Sequence, residues 1–532
     1  MQKEISLLFH YFYDIITIME RWHSKEGHRM GIYFNPNHTD FYNAVNHSQI
    51  YVDKTELIQY TNSVLFGEQK YICVSRPRRF GKSMAANMLT AYYSRGCDSR
   101  ELFQGLKVAT HPDFEKHLNL YNVIHLNMRD YLTESENIQQ LIQFIEEDLL
   151  DELQQEFSDI RMPRRKTLVK VLEQAFIQYE IPFVFIIDEW DCIFRVHKSD
   201  VTSQTAYLDF LRNLLKDKSY VALAYMTGIL PIKKHGEHSA INVFYEYSMT
   251  DASPIEEFTG FTEQEVQQLC EQYKMPFSET KKWYDGYCVD GVSIYNPKSV
   301  VEAMLRGKFN NYWTKTETYE ALKVYIDLNQ NGLRDKIVQM ITGEKVPVNP
   351  DKFQNDMTTF YSADDVLTLL VHLGYLTYDE QNRVVWIPNG EVRQEFVNSI
   401  EDGGWEPVVQ AIHSSEKLLQ ATLSGDEQTV AERFCEKISV NSTTVIKNDI
   451  ASGLKNSRSI FSQYTIHTVI CQVSPTVSLL KWSVAEWKQT DCAGSVQPVG
   501  VHDLQLAKNS APVSQRHRPL LCNLVGCQIQ SL

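Results

Sequence analysis

Along the chain, apolar residues gather in short unbroken runs: "KYICVS" (70–75), "NVIHLN" (122–127), "IPFVFIID" (181–188) and "YVALAYMTG" (220–228). Runs of this length predict strands buried on both faces, the pattern of a parallel sheet covered by helices. Between and after them the period changes. "MAANMLTAYYSRG" sets Met84, Met88, Leu89 and Tyr92 at helical spacing, with Gly96 where a C-cap belongs. "GFTEQEVQQLCEQYKM" sets Phe261, Val266, Leu269, Cys270 and Tyr273 at near-helical spacing behind a Thr262–Glu265 capping box, and so opens a helical domain. "DDVLTLLVHLGYLTYDEQNRVVWIPNGEVRQEF" predicts a helix ending at Gly374, two short strands around a polar turn and a further helix, the form of a winged helix.

The segment joining the first strand to the first helix, "SRPRRFGKS" (Ser75 to Ser83), carries the candidate chemistry. Strand, loop and helix in this order form the context of a phosphate-binding loop. Backbone N–H groups and the positive end of the helix would cradle phosphates, Lys82 would reach the β- and γ-phosphates, and the Ser83 hydroxyl would join an Mg²⁺ shell. Gly81 lets the backbone come close. Arg76 stands where the usual pattern has its first glycine, which ordinary backbone angles allow, and Pro77 fixes the next φ. Arg78 and Arg79, inside the loop with Phe80, are expected to touch nucleotide or acidic neighbours. The second motif, "IPFVFIIDEWD", ends an apolar strand in Asp188, expected to hold Mg²⁺, and Glu189, expected to act as general base on the attacking water. "NVIHLN" falls between the two motifs in the chain, as expected when an extra strand separates them. Thr227, at the end of the last run, is either a sensor of the γ-phosphate or lytic water, or simply a threonine ending a strand.

Composition narrows the classes. The chain has 532 residues, 43% hydrophobic and 22% charged, enough for several domains with cores, and its formal net charge of −15 disfavours a general polyanion binder. The basic stretch "RMPRRK" (161–166) reads as a solvated loop or helix start, with a DNA phosphate contact as the alternative. Lys233 and Lys234 are placed to act on phosphate or across a subunit interface, and no arginine finger is assignable. Ten cysteines without CxxC pairs or zinc-type spacing read as reduced thiols, which points to the cytoplasm. The start "MQKEISLLFHYFYDIITIMERWH", interrupted by His10 and Asp14, makes neither a signal peptide nor a membrane span. It is an amphipathic helix, or an upstream extension of a chain whose natural start is Met30.

Taken together, "YVDKTELI" (51–58), "VSRPRRFGKS", "FIIDEWD", "MTGILPI" (226–232), "GFTEQEV" (260–266), "WYDGY" and "YNP" (283–297) resemble the AAA-ATPase-like family of bacterial proteins. The resemblance runs from about Met30 to Ile446. It implies a nucleotide site in which Arg76 is the usual residue, and adenine as the base. The expected architecture is α/β: a P-loop NTPase parallel-sheet core over 30–250, a helical lid over 251–345, and a winged-helix-like and helical module over 346–448. By the resemblance, "WYDGY" would couple lid position to nucleotide state; read alone, it is an aromatic packing turn. Few bases in the winged-helix-like segment favour protein contact over groove reading.

Relatives commonly continue into a PD-(D/E)XK nuclease-like domain. Here residues 449–532 instead hold only 11 charged residues in 84, and their one acid-x-Lys triplet, Glu486 to Lys488, follows no aspartate ending an apolar strand. The expectation is an irregular tail without nuclease activity. The function read from the sequence is Mg²⁺-dependent ATP binding and hydrolysis that drives or gates a protein partner, self-association or a nucleic-acid-related activity. The alternative is a non-catalytic nucleotide-binding scaffold or signalling switch; a P-loop kinase is disfavoured because no acceptor-binding motif is evident.

Overall fold

The computed structural model describes residues 31–232, 241–313, 332–353 and 360–401, together with single positions and short stretches at 322–326 and 414–430. The N-terminal extension (1–29), Met30, Lys233, Lys234 and the tail with Glu486 and Lys488 lie outside the described residues.

Four of the five strands of the main sheet are the four apolar runs. β1 (Tyr71–Ser75), β2 (Asn122–Asn127), β3 (Phe183–Asp188), β4 (Val221–Gly228) and β5 (Tyr245–Tyr247) form one parallel sheet in the order β2-β3-β4-β1-β5. β1, β3 and β4 are buried at every position, which is why they read as continuous apolar runs rather than alternating ones. Between β1 and β3 the separating strand is β4, paired Tyr71 to Ala224 on one side and Phe185 to Ala224 on the other. β2, the strand between the motifs in the chain, lies beyond β3. Both motifs therefore end at one edge of the sheet, flanking the end of β4.

The helix Lys82–Tyr93 (α1) follows β1 directly and joins strand residues Ile72, Val74, Val184, Ile186 and Tyr225 in one core. It is buried nearly all round: Ala85, Ala86, Met88, Leu89, Tyr92 and Tyr93 are all in the core, while Met84, expected on the apolar face, is 40% exposed. It also ends before Gly96, with Ser94 as C-cap. Gly96 serves a close approach instead, since a Cβ there would lie 2.1 Å from the Asn35 carbonyl oxygen.

That approach belongs to a short N-terminal segment lying along β2. Phe34 bridges to Ile124, the Asn35 N–H donates to Val123 O at 2.7 Å, and the His125 N–H donates to Tyr33 O at 2.9 Å. Glu152, on the helix Ile138–Glu156 (α2), accepts from the N–H groups of Ile32 and Phe34, each at 2.7 Å, and so pins the segment in place. β2 thus does not present a bare edge.

Residues 251–345 are not all helical. The capping box at Thr262 and Glu265 starts the helix Glu263–Tyr273 (α3) as expected, with Val266, Leu269 and Cys270 buried. A three-stranded antiparallel sheet accompanies it, made of β6 (Phe261–Thr262), β7 (Tyr287–Val289) and β8 (Val292–Tyr295) in the order β6-β8-β7. Asp290 and Gly291, with φ of 48° and 81°, form the two-residue turn between β7 and β8. Asn296 then accepts from the N–H groups of Lys298 and Ser299 to start the helix Pro297–Arg306 (α4), with Pro297 in its first turn.

Further on, Ser362 caps the helix Ala363–Leu373 (α5), which ends on Gly374 at φ 87°. A second antiparallel sheet, β10-β11-β9, follows from β9 (Val346–Pro347), β10 (Thr377–Asp379) and β11 (Val384–Trp386), ahead of the helix Gly390–Glu401 (α6). The described residues up to Phe396 form one unit, and a second begins at Val397, where Leu418, Ala421 and Val430 cluster.

Gly286 has φ 107°, and a Cβ on it would lie 2.0 Å from the Pro388 carbonyl oxygen, backbone against backbone. Gly286→Ala is expected to destabilise the fold by about 2 kcal/mol or more, seen as a lower midpoint in chemical unfolding.

Candidate nucleotide site

The loop after β1 is shaped by what its side chains do beneath it. Arg76 is 1% exposed and turns away from the loop mouth: its Nη1 donates to Ser75 O at 3.0 Å and to Tyr247 O at 2.9 Å, which ties β1 to β5. Burial lowers its pKa to about 10. Its backbone angles are ordinary, as expected for a residue in the first-glycine position, and its N–H donates to Gly228 O at 3.0 Å, which extends the β1–β4 pairing into the loop.

Pro77 and Phe80 are buried, Arg78 is exposed, and Arg79 is half-buried in the left-handed region at φ 68°. A non-glycine residue there costs on the order of 1 kcal/mol, so the loop holds its turn against local preference. Packing from the 260–374 region does the holding. The Phe80 ring meets the Tyr287 ring edge-on at 5.2 Å, the Phe80 carbonyl accepts from Gly260 N–H at 2.8 Å, and a Cβ on Gly374 would lie 2.7 Å from Pro77 Cβ. Tyr287 in turn donates to Gly374 O at 2.8 Å. The aromatic turn "WYDGY" thus places its last residue against the loop.

Gly81, at φ 89° and exposed, opens α1, whose N-terminus carries no side-chain cap. Uncapped N–H groups at a helix start favour an anion. Lys82 is 5% exposed; its Nζ donates to the carbonyls of Arg76 and Pro77, each at 3.0 Å, and burial lowers its pKa against the attraction of Glu189 and Asp188.

The remaining site residues converge on one carboxylate. Asp188, at the end of β3 and 4% exposed, accepts from Ser83 Oγ at 2.5 Å through one oxygen, and through the other from Thr227 Oγ1 and from the Glu189 N–H at 2.9 Å. Two hydroxyls and a carboxylate are hard oxygen donors, a set whose chemistry fits Mg²⁺. Ser83 and Asp188 would hold the ion, and Thr227, fully buried, shares their carboxylate.

Glu189 is also left-handed, at φ 55°, and its carboxylate is paired with Arg195. Arg195 and Asp191 carried no role in the sequence reading. Asp191, fully buried, accepts from Arg195 Nε at 3.0 Å and from the N–H groups of Ile229 and Leu230 at 3.1 and 2.8 Å. Burial alone would lower the pKa of Arg195, but Asp191 and Glu189 outweigh it and raise it. The available signal was the four-residue acid–base spacing from Asp191 to Arg195. Elsewhere, "RMPRRK" is an irregular stretch, mostly exposed, ahead of the helix Leu168–Tyr179, and the five described cysteines are free. Among the described residues no helix is long and apolar enough to cross a membrane.

Residues 37–237 match the model of a predicted AAA-ATPase family, a match that supports nucleotide-binding ATPase chemistry for this segment in general terms. A protein of Azotobacter chroococcum mcd 1, named "Uncharacterized protein in vnfD 5'region", is 25% identical over 360 residues, 64% of this chain. The chain spans 63% of that relative's length. Among solved structures, the Aeropyrum pernix ORC2 protein aligns over 67% of this chain and 97% of its own in its ADPNP-ADP complexes, at 11% identity and a TM-score of 0.28. Its ADP form aligns over 69% and 98%, at 10% identity and a TM-score of 0.26. Superpositions this loose bear on neither fold nor function.

Asp191→Ala would leave Arg195 with one carboxylate fewer and strip the acceptor from two buried N–H groups. The expected loss is about 3–5 kcal/mol of unfolding free energy, measured by denaturant unfolding without nucleotide.

Proposed function

We propose that the chain binds ATP with Mg²⁺ and hydrolyses it. The observation that carries this reading is the meeting of Ser83 and Thr227 on Asp188, next to Lys82 and an uncapped helix start. The loop N–H groups and Lys82 bind and orient the phosphates. Arg78, exposed at the loop surface, and Arg79 add positive charge near them. Bound Mg²⁺ would offset the developing phosphate charge. Glu189 takes the proton of the attacking water while that oxygen bonds to the γ-phosphorus and the bond to the bridging oxygen breaks, leaving ADP and phosphate. Thr227 fixes Asp188 and so acts as the sensor of what occupies the neighbouring position.

The same reading includes an output. Pro77 and Phe80 lie against Gly374 and Tyr287, so displacement of the loop by phosphate would be felt at these two residues, which fall in the stretches we take as winged-helix-like module and lid. They would transmit nucleotide state to a protein partner or a second copy. The net charge of −15 leaves DNA as a weaker candidate, and nuclease activity forms no part of the proposal. The non-catalytic scaffold remains the second reading, in which Glu189, held by its ion pair with Arg195, has a structural part only.

Lys82→Ala is expected to weaken ATP binding at least about tenfold, and Glu189→Gln to keep binding while lowering kcat by about 10²- to 10³-fold. Phosphate release and nucleotide titration, with and without Mg²⁺ and double-stranded DNA, check both. Tight, Lys82-dependent binding without turnover in the unaltered chain would establish the scaffold instead.

A further inference from the structure

Ser83, Lys82 and Thr227 are each held by Asp188 or by the loop backbone. Glu189 has a different support. Its N–H is bonded to Asp188, its φ is left-handed, and its side chain reaches a guanidinium that is itself enclosed: Arg195 is 8% exposed as a side chain, on the short helix Cys192–Val196. The bond uses Glu189 Oε2 and Arg195 Nη2, while Arg195 Nε is committed to Asp191 Oδ2. That Asp191 oxygen also takes the N–H groups of Ile229 and Leu230, the two residues after β4. The fit is close, since a Cβ on Gly228 would lie 2.8 Å from Asp191 Oδ1 and 2.7 Å from Trp190 Nε1.

These contacts form a continuous support from the end of β4, through Asp191 and Arg195, to the carboxylate of Glu189. An exposed ion pair would contribute little and would fix nothing. This one has a fully buried acid at its base and a planar cation whose Nε and Nη2 both donate to Asp191, at 3.0 and 3.4 Å, while Nη2 also donates to Glu189. Such a cation sets direction as well as charge. With Nε and Nη2 both bound to acids of its own chain, Arg195 is better placed to orient Glu189 than to meet a phosphate.

Resting on the ATPase reading above, we propose that Arg195 is the positioning residue for Glu189: it fixes the carboxylate through Oε2 so that Oε1 is presented to the attacking water. Arg195 does not touch the reacting atoms. Its loss therefore lowers kcat through Glu189 and leaves nucleotide affinity in place.

The test uses the full chain with four variants: Arg195→Ala, Arg195→Lys, Glu189→Gln and the Arg195→Ala/Glu189→Gln pair. Expected for Arg195→Ala is a fall in kcat of about tenfold or more with ATP Kd changed less than about twofold, partly recovered in Arg195→Lys. In the Glu189→Gln background the alanine substitution should cause no further loss of turnover. A second readout needs no nucleotide: unfolding midpoints of the single and double variants should be non-additive, the double shifting less than the sum. Unchanged kcat in both Arg195 variants, a matching loss of affinity, or additive midpoints would overturn the inference while leaving the ATPase reading intact. Binding without turnover in the unaltered chain overturns both. If Arg195→Ala does not fold, Arg195→Lys and its pair with Glu189→Gln decide by the same criteria.

Discussion

A buried carboxylate with too few partners is costly, and the end of this sheet that carries the candidate site is organised around satisfying one. Asp188 draws a hydroxyl from the first turn of α1, a hydroxyl from the end of β4 and the next backbone N–H onto its two oxygens. Neutral donors on both oxygens set the orientation of the group. Under the proposed reading, a divalent cation would find this carboxylate already aligned. The arrangement requires that β1, β3 and β4 run parallel and end together, and the placement of β4 between the two motif strands provides it.

The second carboxylate centre, Asp191, does for the turn after β3 what Asp188 does for the loop after β1. It binds backbone N–H groups directly, which links the position of Arg195 to the main chain. The two acids lie three residues apart and divide the work: one organises hydroxyls, the other organises a cation. Thr227 and Ile229, separated by a single glycine, contribute to the two centres, so any movement at the end of β4 is shared by both.

Much of this was legible in the sequence because burial on both faces leaves an unmistakable trace in Phe183 to Asp188 and Val221 to Gly228, and because Lys82, Ser83, Asp188 and Glu189 sit in spaced motifs. What escaped was set by tertiary partners. Arg76 reads as a loop residue, yet its side chain serves the β1–β5 junction, whose second strand is only three residues long. The segment Tyr33 to Asn35 pairs with β2 over too few residues to show a period. Gly96 looks like a helix stop by position, and only the nearness of Asn35 reveals its use. The β7–β8 hairpin was announced by Asp290–Gly291 but hidden by its short, mixed strands.

The two sides of the main sheet bear on how this molecule can be divided. The segment that matches the ATPase family spans 37–237, yet β5 comes from 245–247 and the segment lying on β2 comes from 33–35. Cutting at the boundaries of the match would strip pairing partners from β1 and β2 together, leaving two unsatisfied strand edges on an apolar sheet. A fragment so trimmed would be an aggregation-prone reagent, and its silence in an assay would report on solubility rather than on chemistry.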